Sequence, residues 1–156
     1  MSLRQEWMAL LARAPLPLLE QALQAHLGKA PQWLRRPETG LMMVQGRTGG
    51  HGERFNLGEV TVTRCALRLN AASPSSPVGV AYVLGRNHKQ AWLAATADAL
   101  LQVPASHEEL AKTLLTPVRA FLAEQAAARQ QRTSATRVDF LTMAREVAGQ
   151  EDEVAA

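Results

Sequence analysis

The chain has 156 residues, enough for one domain with a real core, and its 47% hydrophobic and 20% charged residues are globular proportions. No stretch approaches the ~18 consecutive apolar residues of a membrane span, and the single cysteine, Cys65, excludes an internal disulfide and a cysteine-based metal site. The net charge of +3 is modest but uneven: Arg64, Arg68, Arg86 and Lys89 fall between Glu59 and Asp98, an interval without an acidic residue, while Glu146, Glu151, Asp152 and Glu153 lie near the end. A basic middle suits an anionic ligand or an acidic protein surface; scattered, solvated arginines are the plainer alternative. The first residues, Met1 to Trp7, lack the apolar core of a signal peptide, which predicts a cytoplasmic protein.

In chain order, Trp7, Leu10 and Leu11 and then Leu18, Leu19, Ala22, Leu23 and His26 keep a helical period on either side of Pro15 and Pro17. This predicts a helical hairpin over 1–28, stopped by Gly28. An antiparallel sheet is predicted over 32–85. Its first hairpin joins Gln32–Arg36 to Leu41–Gln45 through the turn residues Pro37-Glu38-Thr39-Gly40. Glu59–Leu69 is the third strand, with Thr61, Thr63, Cys65, Leu67 and Leu69 on one face. After a loop at 71–77, the nearly all-apolar Val78–Leu84 reads as a strand in the centre of the sheet. The connections are too short for parallel crossovers, so four antiparallel strands are expected.

Helices are predicted over 87–132. Asn87 is a good N-cap for a helix to about Leu101 with Ala91, Ala95 and Ala99 in line, and Pro104 ends it. Ser106-His107-Glu108-Glu109 has the form of a capping box for the next helix. Pro117 either kinks that helix or starts another. Residues 134–147 hold an apolar segment whose alternation fits a strand and a helix equally, a candidate docking arm, and 148–156 is an acidic tail. The fold class is α+β, a four-stranded antiparallel sheet flanked by N-terminal and C-terminal helices, in a single domain.

The most informative stretch is Arg47-Thr48-Gly49-Gly50-His51-Gly52-Glu53-Arg54-Phe55. Glycines at three of four positions allow positive φ or close approach, and the arginines on either side are rigid forks for phosphate or carboxylate. The loop could cradle an anion or be a tight connection docked on a partner. It lacks the Gly-Lys-Ser/Thr ending of a Walker loop and the third glycine and following helix of a dinucleotide fingerprint. Its Gly46-x-x-Gly49 matches a KH loop by letters alone, since that loop joins two helices. His26, His51, His88 and His107 are dispersed, with no metal spacing, and His88 and His107 read as solvated. Cys65 reads as a small core residue, and Ser106 as a cap, with no G-x-S-x-G around it. With Tyr82 the single tyrosine, base stacking as in single-stranded nucleic-acid binding has little support. No catalytic set and no metal site emerge.

The chain nevertheless carries a composite signature: Pro37-Glu38-Thr39-Gly40-Leu41, Arg47-x-Gly49-Gly50-x-Gly52-Glu53-Arg54-Phe55, Gly58-Glu59-x-x-x-Thr63-Arg64, Gly85-Arg86 and Ser134-x-x-Arg137-Val138-Asp139-Phe140-x-Thr142-Met143. In this order and spacing it resembles the G subunit (PhnG family) of the bacterial carbon–phosphorus lyase core complex, from about Gln5 to about Arg145. The resemblance implies a non-autonomous cytoplasmic subunit of phosphonate catabolism, whose partners are the H, I, J and L subunits. With H, I and L it would serve the step in which a phosphonate displaces adenine from ATP to give α-D-ribose 1-phosphonate 5-triphosphate. It would be an accessory subunit of that synthase, inactive alone and without its own cofactor, ATP being substrate of the complex. Cleavage of the carbon–phosphorus bond belongs to the iron–sulfur J subunit. The chain departs from the family pattern at Asn87 and Gln90-Ala91-Trp92, where that pattern has Asp and His-Ala-Glu, so no role is carried onto that stretch.

The expected ligand or subunit contacts are Arg47, Gly49, Gly50, Gly52, Arg54 and Arg64. The expected interface residues are Arg137, Asp139, Phe140 and Met143. Neither nucleic acid nor membrane is an expected partner. The rival reading is a stand-alone binder of a nucleotide or small phosphonate in the glycine loop.

Overall fold

The computed structural model describes residues 2–28, 30–69 and 75–135. Helices α1 (Leu3–Leu11) and α2 (Leu16–Leu23) come first, followed by a 3₁₀ turn at Gln24–His26. Ser2 and Gln5 close a reciprocal capping box on α1, and Pro15 and Pro17 flank the start of α2, where a missing N–H costs nothing. Strands β1 (Gln32–Arg47), β2 (Arg54–Arg68) and β3 (Val78–Leu84) form an antiparallel sheet in the order β1-β2-β3. Helices α3 (His88–Leu101), α4 (Pro104–Leu110) and α5 (Thr116–Ala135) complete the described chain.

The α+β class with an antiparallel sheet holds, but the described sheet has three strands where four were expected. Gln32–Arg36 and Leu41–Gln45 belong to the single strand β1, and Pro37–Gly40 is no turn. The register against β2 slips between Trp33 and Arg35 and again between Arg35 and Glu38. Each slip leaves one extra residue on β1, a bulge. Proline has no N–H to give a ladder, and a bulge on an edge strand is where that loss is tolerated. The real hairpin connection is the glycine loop, and β2 begins at Arg54, earlier than the expected Glu59.

Among the described residues strand β3 is a sheet edge, not the centre. Its apolar run has two explanations, one per face. Gly79, Ala81 and Val83 are buried under α3, while Tyr82 and Leu84 on the opposite face are exposed.

Helix α3 is the centre of the core. Asn87 caps it by accepting from the Gln90 N–H at 3.0 Å. From Ala91 to Leu101 its residues are buried except Trp92 and Leu100, which are half-buried, because it packs on β2 and β3 and also on α1, α2 and α4. The alanines at 91, 95 and 99 let the sheet come very close. A Cβ added at Gly79 would lie 1.9 Å from the Ala95 carbonyl oxygen and 2.9 Å from Ala99 Cβ, so no side chain fits there.

Among the described residues one charge is buried in this core, the Asp98 carboxylate, and it is fully used. Arg4 donates to it twice (Nη2 to Oδ2 2.7 Å, Nε to Oδ1 3.2 Å), Trp7 Nε1 donates at 2.9 Å and the Val80 N–H at 2.9 Å. Together these ties join α1, α3 and β3 at one point. The hydrogen bond with Asp98 also holds Arg4 protonated more firmly than a free guanidinium.

The expected capping box at Ser106 is absent. Helix α4 begins at Pro104, whose fixed φ suits a first helical position, and Val103 is the uncapped flanking residue. His107 is not solvated either: its Nδ1 lies 2.7 Å from the Leu101 carbonyl oxygen and its ring packs on Trp7 at 5.4 Å. Pro117 lies in the first turn of α5. A π-helical turn at Ala111–Leu115 precedes it, in which the Thr116 N–H reaches Ala111, five residues back. The wider turn gives room where a proline ring would otherwise strike the preceding carbonyls.

Candidate functional site

Strand β3 follows β2 only as far as the pair Val62 and Leu84. Beyond it, Leu41–Arg47 and Arg54–Thr61 continue as a two-stranded ribbon without a third strand among the described residues. A two-stranded ribbon is marginal by itself in water. This one also carries large apolar side chains in the open: Leu41 (66% exposed), Met42, Met43, Phe55 and Leu57 (63%). The register slips once more between Val44 and Gln45, leaving Leu57 as the extra residue on β2. The neighbouring Gly58 takes φ 149°, which an L side chain rarely adopts.

The glycine loop is the tip of this ribbon. Gly49 (φ 58°) and Gly50 (φ 80°) turn the chain. The Thr48 carbonyl oxygen accepts from the Gly52 N–H at 3.0 Å and the His51 N–H at 3.3 Å. Arg47 Nη1 donates to the Gly52 carbonyl oxygen at 3.1 Å, and His51 Nδ1 lies 3.1 Å from the Gly49 carbonyl oxygen. These N–H groups are spent on the loop itself. The loop is therefore a closed turn first, and Arg47 and Arg54 give it side chains with which to bind.

Arg47 and Arg54 are direct cross-strand partners at the base of the turn. Like charges directly opposite each other destabilise a ladder, so the pair is a standing site for a counter-charge. A shallow recess lies beside them, lined by Gln45, Gly46, Arg47, Gly50 and Arg54. Arg64 is elsewhere, ten residues further along β2, roughly 34 Å at ~3.4 Å per residue. Its Nε donates to Glu38 Oε1 at 2.7 Å, and Arg35 Nη1 bonds the same oxygen. The two guanidiniums, Arg35 first, hold the Glu38 carboxyl below the usual carboxylate range and clamp the β1 bulge. Of the six expected contact residues, Arg47, Gly49, Gly50, Gly52 and Arg54 are together and Arg64 is apart. Arg137, Asp139, Phe140 and Met143 lie outside the described residues.

Cys65 is buried and its thiol is pushed up to about 11 by desolvation. Among the described residues no group of three or more His, Cys, Asp or Glu gathers to hold a metal ion. Nor is any helix among them long and apolar enough to cross a membrane.

The family model for the phosphonate metabolism protein PhnG matches residues 2–146. The chain belongs to the PhnG family. A PhnG relative from Rhizobium meliloti (strain 1021), named α-D-ribose 1-methylphosphonate 5-triphosphate synthase subunit PhnG, is 45% identical over 145 residues, covering 91% of this chain and 88% of that protein. Within the fold, the described motifs of the PhnG resemblance lie mostly on one feature. Pro37–Leu41, Arg47–Phe55, Gly58-Glu59 and Thr63-Arg64 all lie on β1, β2 and the turn between them. The ribbon's apolar surface was missed in the sequence; the unbroken apolar run Leu41-Met42-Met43-Val44 was its signal.

Proposed function

We propose that this protein is a cytoplasmic, non-autonomous subunit of α-D-ribose 1-methylphosphonate 5-triphosphate synthase, working inside the carbon–phosphorus lyase core complex. In the reaction of that complex a phosphonate oxygen replaces adenine at the anomeric carbon of ATP. The H, I and J subunits are its partners in the core, and H, I and L its partners in the synthase step. The observation that carries the reading is the β1–β2 ribbon. An exposed apolar ribbon tipped by facing arginines is a poor design for a monomer and a good one for a docked subunit. Leu41, Met42, Met43, Phe55 and Leu57 supply apolar area to a partner groove, and Arg47 and Arg54 meet its acidic groups or the anionic substrate.

Co-expression with the H, I, J and L subunits tests this. The expected result is one complex with synthase activity, from which the double variant Met42→Lys, Leu57→Lys is lost although it folds. A soluble monomer that never co-purifies with the other subunits, or an intact active complex built with the double variant, overturns the reading.

A further inference from the structure

A second recess lies away from the ribbon tip, between the β1 bulge and the first turn of α3. Trp33, Arg36, Pro37, His88, Lys89 and Trp92 line it, around a cavity of about 380 Å³. That is the small end of the range for ligand pockets, roughly 300–1,000 Å³, and the make-up is of the same kind: apolar walls with a few polar groups. Trp33 and Trp92 form the walls, with ring centroids 6.4 Å apart and planes inclined at 55°. Both indoles are half-buried and pack on the core, so each keeps a fixed orientation and an open side.

The rim is basic. No carboxylate is among the described residues that line the recess. Arg36 is exposed and has no hydrogen bond or ion pair among the described residues, so its fork is free to accept an anion. Lys89 is shared with Glu20. His88 is held by Thr39 Oγ1, 3.0 Å from its Nε2.

An aromatic wall recognises a flat ring by stacking. A free guanidinium beside it recognises a phosphate. We propose that this recess is a nucleotide-binding subsite, with a purine base stacked on Trp92, the tilted Trp33 indole meeting its edge, and the phosphate nearest the ribose on Arg36. The inference rests on the proposed function only in the choice of ATP as the nucleotide. It differs from the glycine loop in place and in chemistry, because the loop has no aromatic partner for a base beyond the exposed Phe55.

The indoles report on their own site. ATP, adenosine and inorganic triphosphate are titrated into the full chain, alone and in the co-expressed complex, while tryptophan fluorescence is followed. Trp7, bonded to Asp98 in the core, supplies a constant background. ATP is expected to quench the fluorescence saturably, adenosine to bind about tenfold more weakly and triphosphate to leave the signal unchanged. Trp92→Phe should remove most of the quench, and Arg36→Ala should weaken ATP about tenfold towards the adenosine value, with circular dichroism unchanged in both. No saturable quench by ATP at millimolar concentration in either form overturns the proposal. So does a quench indifferent to both substitutions. An active complex with no nucleotide effect at Trp92 sinks this inference and leaves the subunit reading intact. Saturable quenching in a chain that never joins a complex does the reverse.

Discussion

The two halves of this molecule are built on opposite terms. Around α3, every buried polar group of Asp98 is matched, Gly79 leaves no gap, and the leucines of four helices close on one core. Along the ribbon, apolar side chains face outward and two arginines face each other. The body matches its buried charge internally and leaves only His26 Nδ1 and Arg68 Nε as buried nitrogens without a partner among the described residues; the ribbon is satisfied only by something else. A substitution should therefore cost stability in one region and association in the other.

The sharpest break is Asp98→Ala. It leaves Trp7 Nε1 and the Val80 N–H without their acceptor, while the 41% exposed Arg4 keeps the Val78 carbonyl, and each stranded buried donor costs about 1–3 kcal/mol. Chemical denaturation should show this loss, and the ribbon's partner affinity should fall only as far as folding does. Gly79→Ala comes next, at about 1–3 kcal/mol, because β3 must move off the Ala95 carbonyl. A thermal midpoint unchanged by this variant would contradict the close approach.

The ribbon should answer in the other sense. Phe55→Ser and Leu41→Ser are expected to change unfolding free energy by within about 0.5 kcal/mol, as exposed sites do, while weakening assembly with partner subunits at least tenfold. Arg54→Thr should stabilise the free chain slightly, by about 0.2–1 kcal/mol, by removing the facing like charge. Loss of stability in that variant would show that the pair is already neutralised within the chain.

The smallest effect concerns the clamp between body and ribbon. Glu38 has a depressed folded pKa, so its contribution is present above the ordinary carboxylate value. It is lost as pH falls through the lower folded one. A carboxyl-carbon NMR titration should show Glu38 protonating below the usual carboxylate range, and the depression should disappear in Arg35→Ala, Arg64→Ala.

What was legible in the sequence follows the same division. Thr63, Cys65 and Leu67 share a face because a core on one side imposes alternation, and Asn87 marks a helix start because its side chain bonds the local backbone. Residues 41–44 had no such constraint. A ribbon open on both faces enforces no period, so a long strand looked like half of a hairpin. Pro37 misled for a related reason: proline signals a turn unless an edge strand bulges around it, and edges are set by distant partners. The family signature pointed to the tip, but the pairing of Arg47 with Arg54 needed the register. Trp33 and Trp92 were never connected, since 59 positions separate them and only the packing of α3 on the sheet brings them together.

The self-closed turn at Thr48–Gly52 has a kinetic and thermodynamic consequence. Because its N–H groups already bond Thr48 and its arginine already holds Gly52, the tip keeps one shape before any encounter. Docking then sacrifices rigid-body freedom and a few long side-chain rotamers, with no loop left to order. Such a probe associates quickly, and its selectivity comes from fit alone, since it has no alternative conformation with which to accommodate the wrong surface.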